Sequence, residues 1–386
     1  MKQFTFALLL IAFLLAGCQT DKKSTTVRFA TFNTALYRDE AGQLQKDFEE
    51  GDDEQIKIIA EIIQRKRPDV LALQEFDFDE AGKNLQLFQE NYLGKSFNGS
   101  EPVDYPYVMA FRSNTGIQTG LDLNNDGKTG TPEDAFGYGV YPGQYAFAIL
   151  SKFPLETDSL VTFQKFLWKD MPGAHLPVDE DSTMWYSESV LDTFRLSSKN
   201  HVDIPVTIGD KTIHVLIAHP TPPGFDGEED RNGKRNHDEI RLIADYIFPA
   251  KGDYLYDDEG EPTSLKTGSS FVVMGDMNAD PQAGSSYKNA IDLLLEHPRV
   301  HPESATGRLV PSSEGSKIWH KQNPNNSHPA HKTAVFNLRV DYVLPSADLQ
   351  PVESGVFWPA PSDSLSYLTT NNEGSDHRMV WVDVTW

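Results

Sequence analysis

Residues 271–281 read FVVMGDMNADP. Four apolar side chains, Phe271 to Met274, run without alternation into Gly275, Asp276 and Asn278. An unbroken apolar run of this length fits a strand buried on both faces. A carboxylate and a carboxamide two residues apart at its tip either make a turn through local hydrogen bonds or carry chemistry.

The pattern recurs elsewhere in the chain. VRFATFN (27–33) reads as a strand closing on Asn33, and VLALQEF (70–76) runs into Glu75. TIHVLIAH (212–219) ends at His219-Pro220, RVDYVL (339–344) carries Asp341, and Asp376-His377 in GSDHR precedes a last strand over 378–386. Between these, Ile56, Ile59, Ala60 and Ile63 recur at helical spacing over 53–67, with Pro68 just beyond. Further helices are expected over 237–247 and near 285–296. Strands and helices interleave throughout, which gives an α/β class. The expected domain spans 27–386, with insertions near 112–145, rich in Gly, Asn and Asp, and 156–200, rich in aromatics and acids.

The strand-end residues make chemical sense together. Asp, Glu and Asn are hard oxygen ligands or hydrogen-bond partners, suited to Mg²⁺ or Mn²⁺ rather than zinc. Histidines supply what carboxylates beside a metal cannot, a cationic donor to an anionic oxygen. Such a set serves phosphoester hydrolysis, in which charge on the phosphoryl oxygens is stabilised while a base directs water in line. The net charge of −23 disfavours long-range attraction to nucleic acid or anionic lipid.

TFN (31–33), LALQE (71–75), AHPTPP (218–223), GDMNADP (275–281), RVDYVL and SDHR (375–378) occur in the order of motifs of the endonuclease/exonuclease/phosphatase superfamily, which the chain resembles. The resemblance implies a DNase I-like fold, a four-layer sandwich of two packed mixed β-sheets flanked by helices. It also implies Glu75 as principal metal ligand, with Asn33 and Asp376 near the ion. Asp276 and Asn278 would orient or activate water and hold the phosphate. His377, oriented by Asp341, would contact the phosphate, and His219 would help protonate the leaving oxygen. A secreted endonuclease and a non-catalytic lipid-anchored binding protein are the alternatives. The inositol-phosphatase branch normally has Trp-Cys-Asp-Arg where this chain has Leu338-Arg339-Val340-Asp341.

Outside the motifs, RNGKRNHDEIR (231–241) brings basic residues just after His219, making Arg235 and Asn236 candidate phosphate contacts, with Arg112 and Lys199 as weaker ones. DLNNDGKTGTPE (122–133) matches a calcium loop, with Asp122, Asn124, Asp126 and Glu133 at ligand positions and Gly127 at the sharp turn. Bound Ca²⁺ there would be structural and separate from the catalytic metal.

The chain starts MKQFTFALLLIAFLLAGCQT. A short positive start, an apolar run and small residues before Cys18 read as an export signal over 1–17, too short to span a bilayer. Leu15-Ala16-Gly17-Cys18 also resembles the bacterial lipobox, so Cys18, the single cysteine, is expected to be lipidated and 18–26 to form a tether to a membrane. The expected location is a bacterial membrane, facing periplasm or cell exterior, with a phosphoester substrate and no protein partner evident. Cys18→Ser should abolish labelling by a fatty-acid analogue and move the protein out of the membrane fraction. Unchanged labelling would rule out lipidation at this residue.

Overall fold

The computed structural model describes residues 26–321, 327–370 and 372–386. The expected export signal, Cys18 and nearly all of the tether lie outside the described residues.

Among the described residues, eleven strands form two sheets. They are β1 (Val27–Leu36), β2 (Val70–Phe76), β3 (Tyr107–Phe111), β4 (Phe147–Ser151), β5 (Val161–Thr162), β6 (His201–Ile208), β7 (Lys211–Ala218), β8 (Ser270–Asp276), β9 (Asp341–Pro345), β10 (Gln350–Val356) and β11 (Val380–Thr385). The first sheet runs β10-β11-β1-β2-β4-β3 and the second β5-β6-β7-β8-β9. Each is mixed: β1 pairs parallel with β2, and β7 with β8, while their other neighbours run antiparallel.

The sheets pack face to face over Val27, Phe29, Val70 and Ile149 on one side and Ile213, Val215, Val272 and Met274 on the other. Their outer faces are covered as well. Leu71 and Leu73 meet Ile56, Ile59 and Ile63 of the Glu54–Lys66 helix. Phe271 and Val273 meet Ile240 and Ile243 of the Arg231–Tyr246 helix. Helices outside two stacked sheets make the expected four-layer sandwich. Every residue of β8 is buried, which explains its unbroken apolar run. Each fully buried Val, Phe or Met contributes roughly 1.5–3 kcal/mol relative to exposure.

Boundaries depart from expectation where local chemistry intervenes. The expected 237–247 helix starts earlier, at Arg231. The helix near 285–296 splits into a 3₁₀ turn at Tyr287–Asn289 and a short helix at Asp292–Leu295, because Lys288 and Asn289 take left-handed backbone (φ 48° and 50°). The 112–145 segment is an irregular loop pinned by the buried Asp134, which accepts the N–H groups of Leu123 and Thr131. In the 156–200 segment, Phe163, Phe166, Trp168 and Phe194 join the core beneath the Arg231–Tyr246 helix. Trp168 Nε1 donates to Asp238 on that helix at 2.7 Å.

Gly275 is required by close approach. A Cβ there would sit 2.0 Å from the carbonyl oxygen of Ala218, its partner in the parallel β7–β8 pair. Gly275→Ala should therefore destabilise the fold by about 1–3 kcal/mol, the usual range for overpacking. Urea unfolding with no shift in midpoint would show that the pair accommodates a side chain.

Candidate active site

Strand direction gathers the site. The parallel strands β1, β2, β7 and β8 deliver the residues at their C-terminal ends: Asn33, Glu75, His219 and Asp276. The antiparallel strands β9 and β11 deliver the residues at or before their starts: Asp341, and Asp376 with His377. Asp276 and Asp341 are direct register partners.

The fully buried Asn33 spans the two sheets. Its Nδ2 donates to Glu75 Oε1 and to Asp276 Oδ2, both at 3.1 Å. Ser375, which sequence reading did not single out, donates its hydroxyl to the Asn33 carbonyl at 2.7 Å and accepts the His377 N–H at 3.0 Å. It thereby ties the β11 approach to β1. Its place beside Asp376 in the SDHR motif was the available signal. Glu75 and Asn278 hold left-handed backbone (φ 55° and 51°). For a glutamate this costs on the order of 1–3 kcal/mol and persists only where surrounding structure enforces it. Asn278 donates Nδ2 to the Pro220 carbonyl at 3.1 Å, and its N–H donates to Asp276 Oδ1 at 2.9 Å.

Two histidines approach Asp276 Oδ2, His219 Nε2 at 3.6 Å and His377 Nε2 at 3.7 Å. Their surroundings shift their proton affinities in opposite directions. Burial lowers the His219 pKa well below its ordinary value, and Lys199 and His377 add to the effect. Burial also opposes charge on His377, but Asp341 and Asp276 outweigh it and raise the pKa to about 10. Asp341 Oδ2 lies 3.0 Å from His377 Nδ1, leaving Nε2 directed toward Asp276. Burial raises the pKa of Glu75 and, reinforced by Asp341, that of Asp276.

Glu75, Asp276 and Asp376 line one cleft of about 960 Å³ together with His219, Asn278 and His377. The donors fit a hard divalent ion. They are oxygen-rich, and Glu75 and Asp276 share one neutral amide, a charge excess that a cation would relieve. Asp276, Asp341 and His377 also bring ligand atoms within 4.8 Å of one another, but Asp341 is engaged with His377 Nδ1.

The remaining expected contacts divide. Arg235 reaches the cleft wall but donates to the carbonyls of Leu196, Phe136 and Arg195. Asn236 does not serve as a phosphate contact: it is fully buried and its Nδ2 donates to the carbonyls of Thr221 and Met277. Arg112 pairs with Glu80 at the surface, whereas Lys199 lines the cleft. In the loop read as a calcium site, Asp122 accepts the N–H groups of Asp126 and Gly127, as in an ordinary polar turn. Asn124 Oδ1 accepts the Asp126 N–H in the same turn, and Asn124 and Glu133 also line the cleft. Among the described residues, Asp122, Asp126 and Glu133 do not form a group whose ligand atoms all lie within 4.8 Å of one another.

Solved structures of similar fold include an endonuclease/exonuclease/phosphatase from Beutenbergia cavernae, 15% identical, covering 93% of this chain and 71% of that one, with a TM-score of 0.49. A family protein from Leptotrichia buccalis is 15% identical over 93% of this chain and 100% of its own, with a TM-score of 0.48. Sphingomyelinase C from Streptomyces griseocarneus is 17% identical over 93% and 99%, with a TM-score of 0.45. No curated protein matches the sequence. The Endonuclease/Exonuclease/phosphatase family matches residues 30–377, nearly the whole described domain, and the chain belongs to that family.

Proposed function

We propose that this chain hydrolyses a phosphodiester or phosphomonoester by in-line attack of water. The observation that carries the reading is Asp276, set between two buried histidines on the floor of the cleft, of which burial lowers the pKa of His219 and the flanking acids raise that of His377. Asp276, whose affinity for a proton is raised by burial, takes the proton of the attacking water. The His377 imidazolium, held by Asp341, donates to a phosphoryl oxygen as its negative charge grows. His219, whose Nε2 lies 3.6 Å from Asp276 Oδ2, is placed to take that proton from Asp276 and pass it to the oxygen that leaves as its bond to phosphorus breaks. Asn278 braces the Asp276 carboxylate and the His219-Pro220 turn. A bound Mg²⁺ or Mn²⁺, held by Glu75 with Asn33 and Asp376 close by, would supply Lewis-acid stabilisation of the phosphoryl oxygens.

The acids and histidines needed for catalysis are all present, which argues against a non-catalytic binding protein. Among lining cations, Arg235 is committed to carbonyls and Arg231 is paired with Glu229, a poor track for the backbone of a polynucleotide. This weighs against the endonuclease alternative. The location we favour is an exported, lipid-anchored one, and it rests on the Leu15–Cys18 sequence alone.

Turnover of p-nitrophenyl phosphate, bis-p-nitrophenyl phosphate, sphingomyelin, RNA and duplex DNA should be compared with Mg²⁺ and after chelation. Hydrolysis of the preferred substrate should vanish in EDTA and return with the ion; full activity after exhaustive chelation would sink the metal assignment. Glu75→Gln, Asp276→Asn and His377→Ala should each reduce turnover by about 10²–10⁴-fold without unfolding the protein. A near-wild-type rate in any of the three removes that residue from the mechanism.

A further inference from the structure

On the His219 side, the cleft wall contains donors that the mechanism above leaves unused. Ser198 and Lys199 lie just before β6, and Thr221 lies just after His219. All three line the cleft, and all are buried. Glu239, fully buried on the Arg231–Tyr246 helix, fixes them in place. Its Oε1 accepts the Ser198 N–H and its Oε2 the Thr221 N–H, both at 2.6 Å. One carboxylate thus clamps two loops from different strand ends side by side.

What the clamp presents is unsatisfied. Among the described residues, the Ser198 and Thr221 hydroxyls are buried without a hydrogen-bond partner. Burial lowers the pKa of Lys199, an effect that Glu239, Glu75 and Asp276 oppose through space without pairing with it directly. An unpaired buried hydroxyl costs on the order of 1–3 kcal/mol, and an unpaired buried charge costs more. Three such groups on one wall are complementary to an oxygen-rich anion.

We propose that Ser198, Lys199 and Thr221 form an oxyanion subsite that holds the non-bridging oxygens of the substrate's phosphoryl group, on the leaving-group side of Asp276. The subsite rests on the phosphoesterase reading and deepens it. With Arg231 and Arg235 engaged elsewhere, Lys199 is the one lining Lys or Arg among the described residues left for a ligand. The subsite therefore suits a single phosphoryl group rather than a run of phosphates. Glu239 is a positioning residue that acts through the two backbones it holds.

Calorimetric binding of inorganic phosphate to the full chain in millimolar Mg²⁺ tests this apart from turnover. Lys199→Met should weaken phosphate binding by about 10–100-fold, the usual loss for a hydrogen bond to a charged group. Lys199→Arg should restore part of it. The Ser198→Ala/Thr221→Val pair should weaken binding while leaving thermal melting near wild type. In turnover, Lys199→Met should raise KM more than it lowers kcat. No phosphate binding by the wild type, or an equal Kd in folded Lys199→Met, overturns the subsite. If phosphate binds through Lys199 but no phosphoester is cleaved, the subsite stands and the hydrolase reading fails. If Glu75→Gln abolishes turnover while Lys199→Met binds phosphate normally, the hydrolase reading stands and the subsite fails.

Discussion

The active-site floor depends on one side-chain amide. Asn33 lies near the C-terminal end of a strand of the first sheet, yet it hydrogen-bonds both to Glu75 in that sheet and to Asp276 in the other. The inter-sheet core beneath it is apolar and sets only the spacing of the layers. Dispersion and hydrophobic burial are nearly indifferent to small sliding of one sheet over the other, whereas hydrogen bonds are not. The amide therefore converts a packed sandwich into a site with fixed distances. It also brings two carboxylates close together, which burial alone would oppose.

That proximity shapes the electrostatics. A buried acid pair with one neutral donor between them draws positive charge from its surroundings. His377, backed by Asp341, meets that demand with a pKa raised to about 10, while burial, with Lys199 and His377 adding to it, lowers that of His219. Two imidazoles at nearly equal distance from one carboxylate oxygen are thus made chemically unlike by what stands behind them.

The strand tips were legible because an apolar run ending in a polar residue is a property of one segment. FVVMGD and VLALQEF declared themselves this way, and each is a strand with the expected ends. The ordering of Asp341 and Asp376-His377 ahead of their strands follows from antiparallel pairing, which no local pattern encodes. Strand β6 was hidden by Pro205, tolerated because β5 pairs only with Val202 and Asp203. Strand β10 was hidden by an edge position that leaves Gln350, Val352 and Glu353 exposed. Arg235 and Asn236 read as a basic cluster facing a ligand because sequence does not show which carbonyls lie against a helix. Glu239, near the start of the expected 237–247 helix, gave no sign of its two loop contacts for the same reason.

The cleft is built in two parts with different tolerances. Its floor consists of strand ends, where Gly275 abuts a carbonyl and Glu75 holds a backbone conformation that glutamates seldom adopt. Its rim comes from irregular segments, including Leu123, Asn124, Glu133 and Tyr138 of the 112–145 loop and a strongly exposed Phe225. Lengthening or exchanging such a rim disturbs no strand pairing and costs little closure entropy. The rim can thereby be exchanged while the strand-end floor keeps its arrangement, a division of labour between inheritance and novelty within one sandwich.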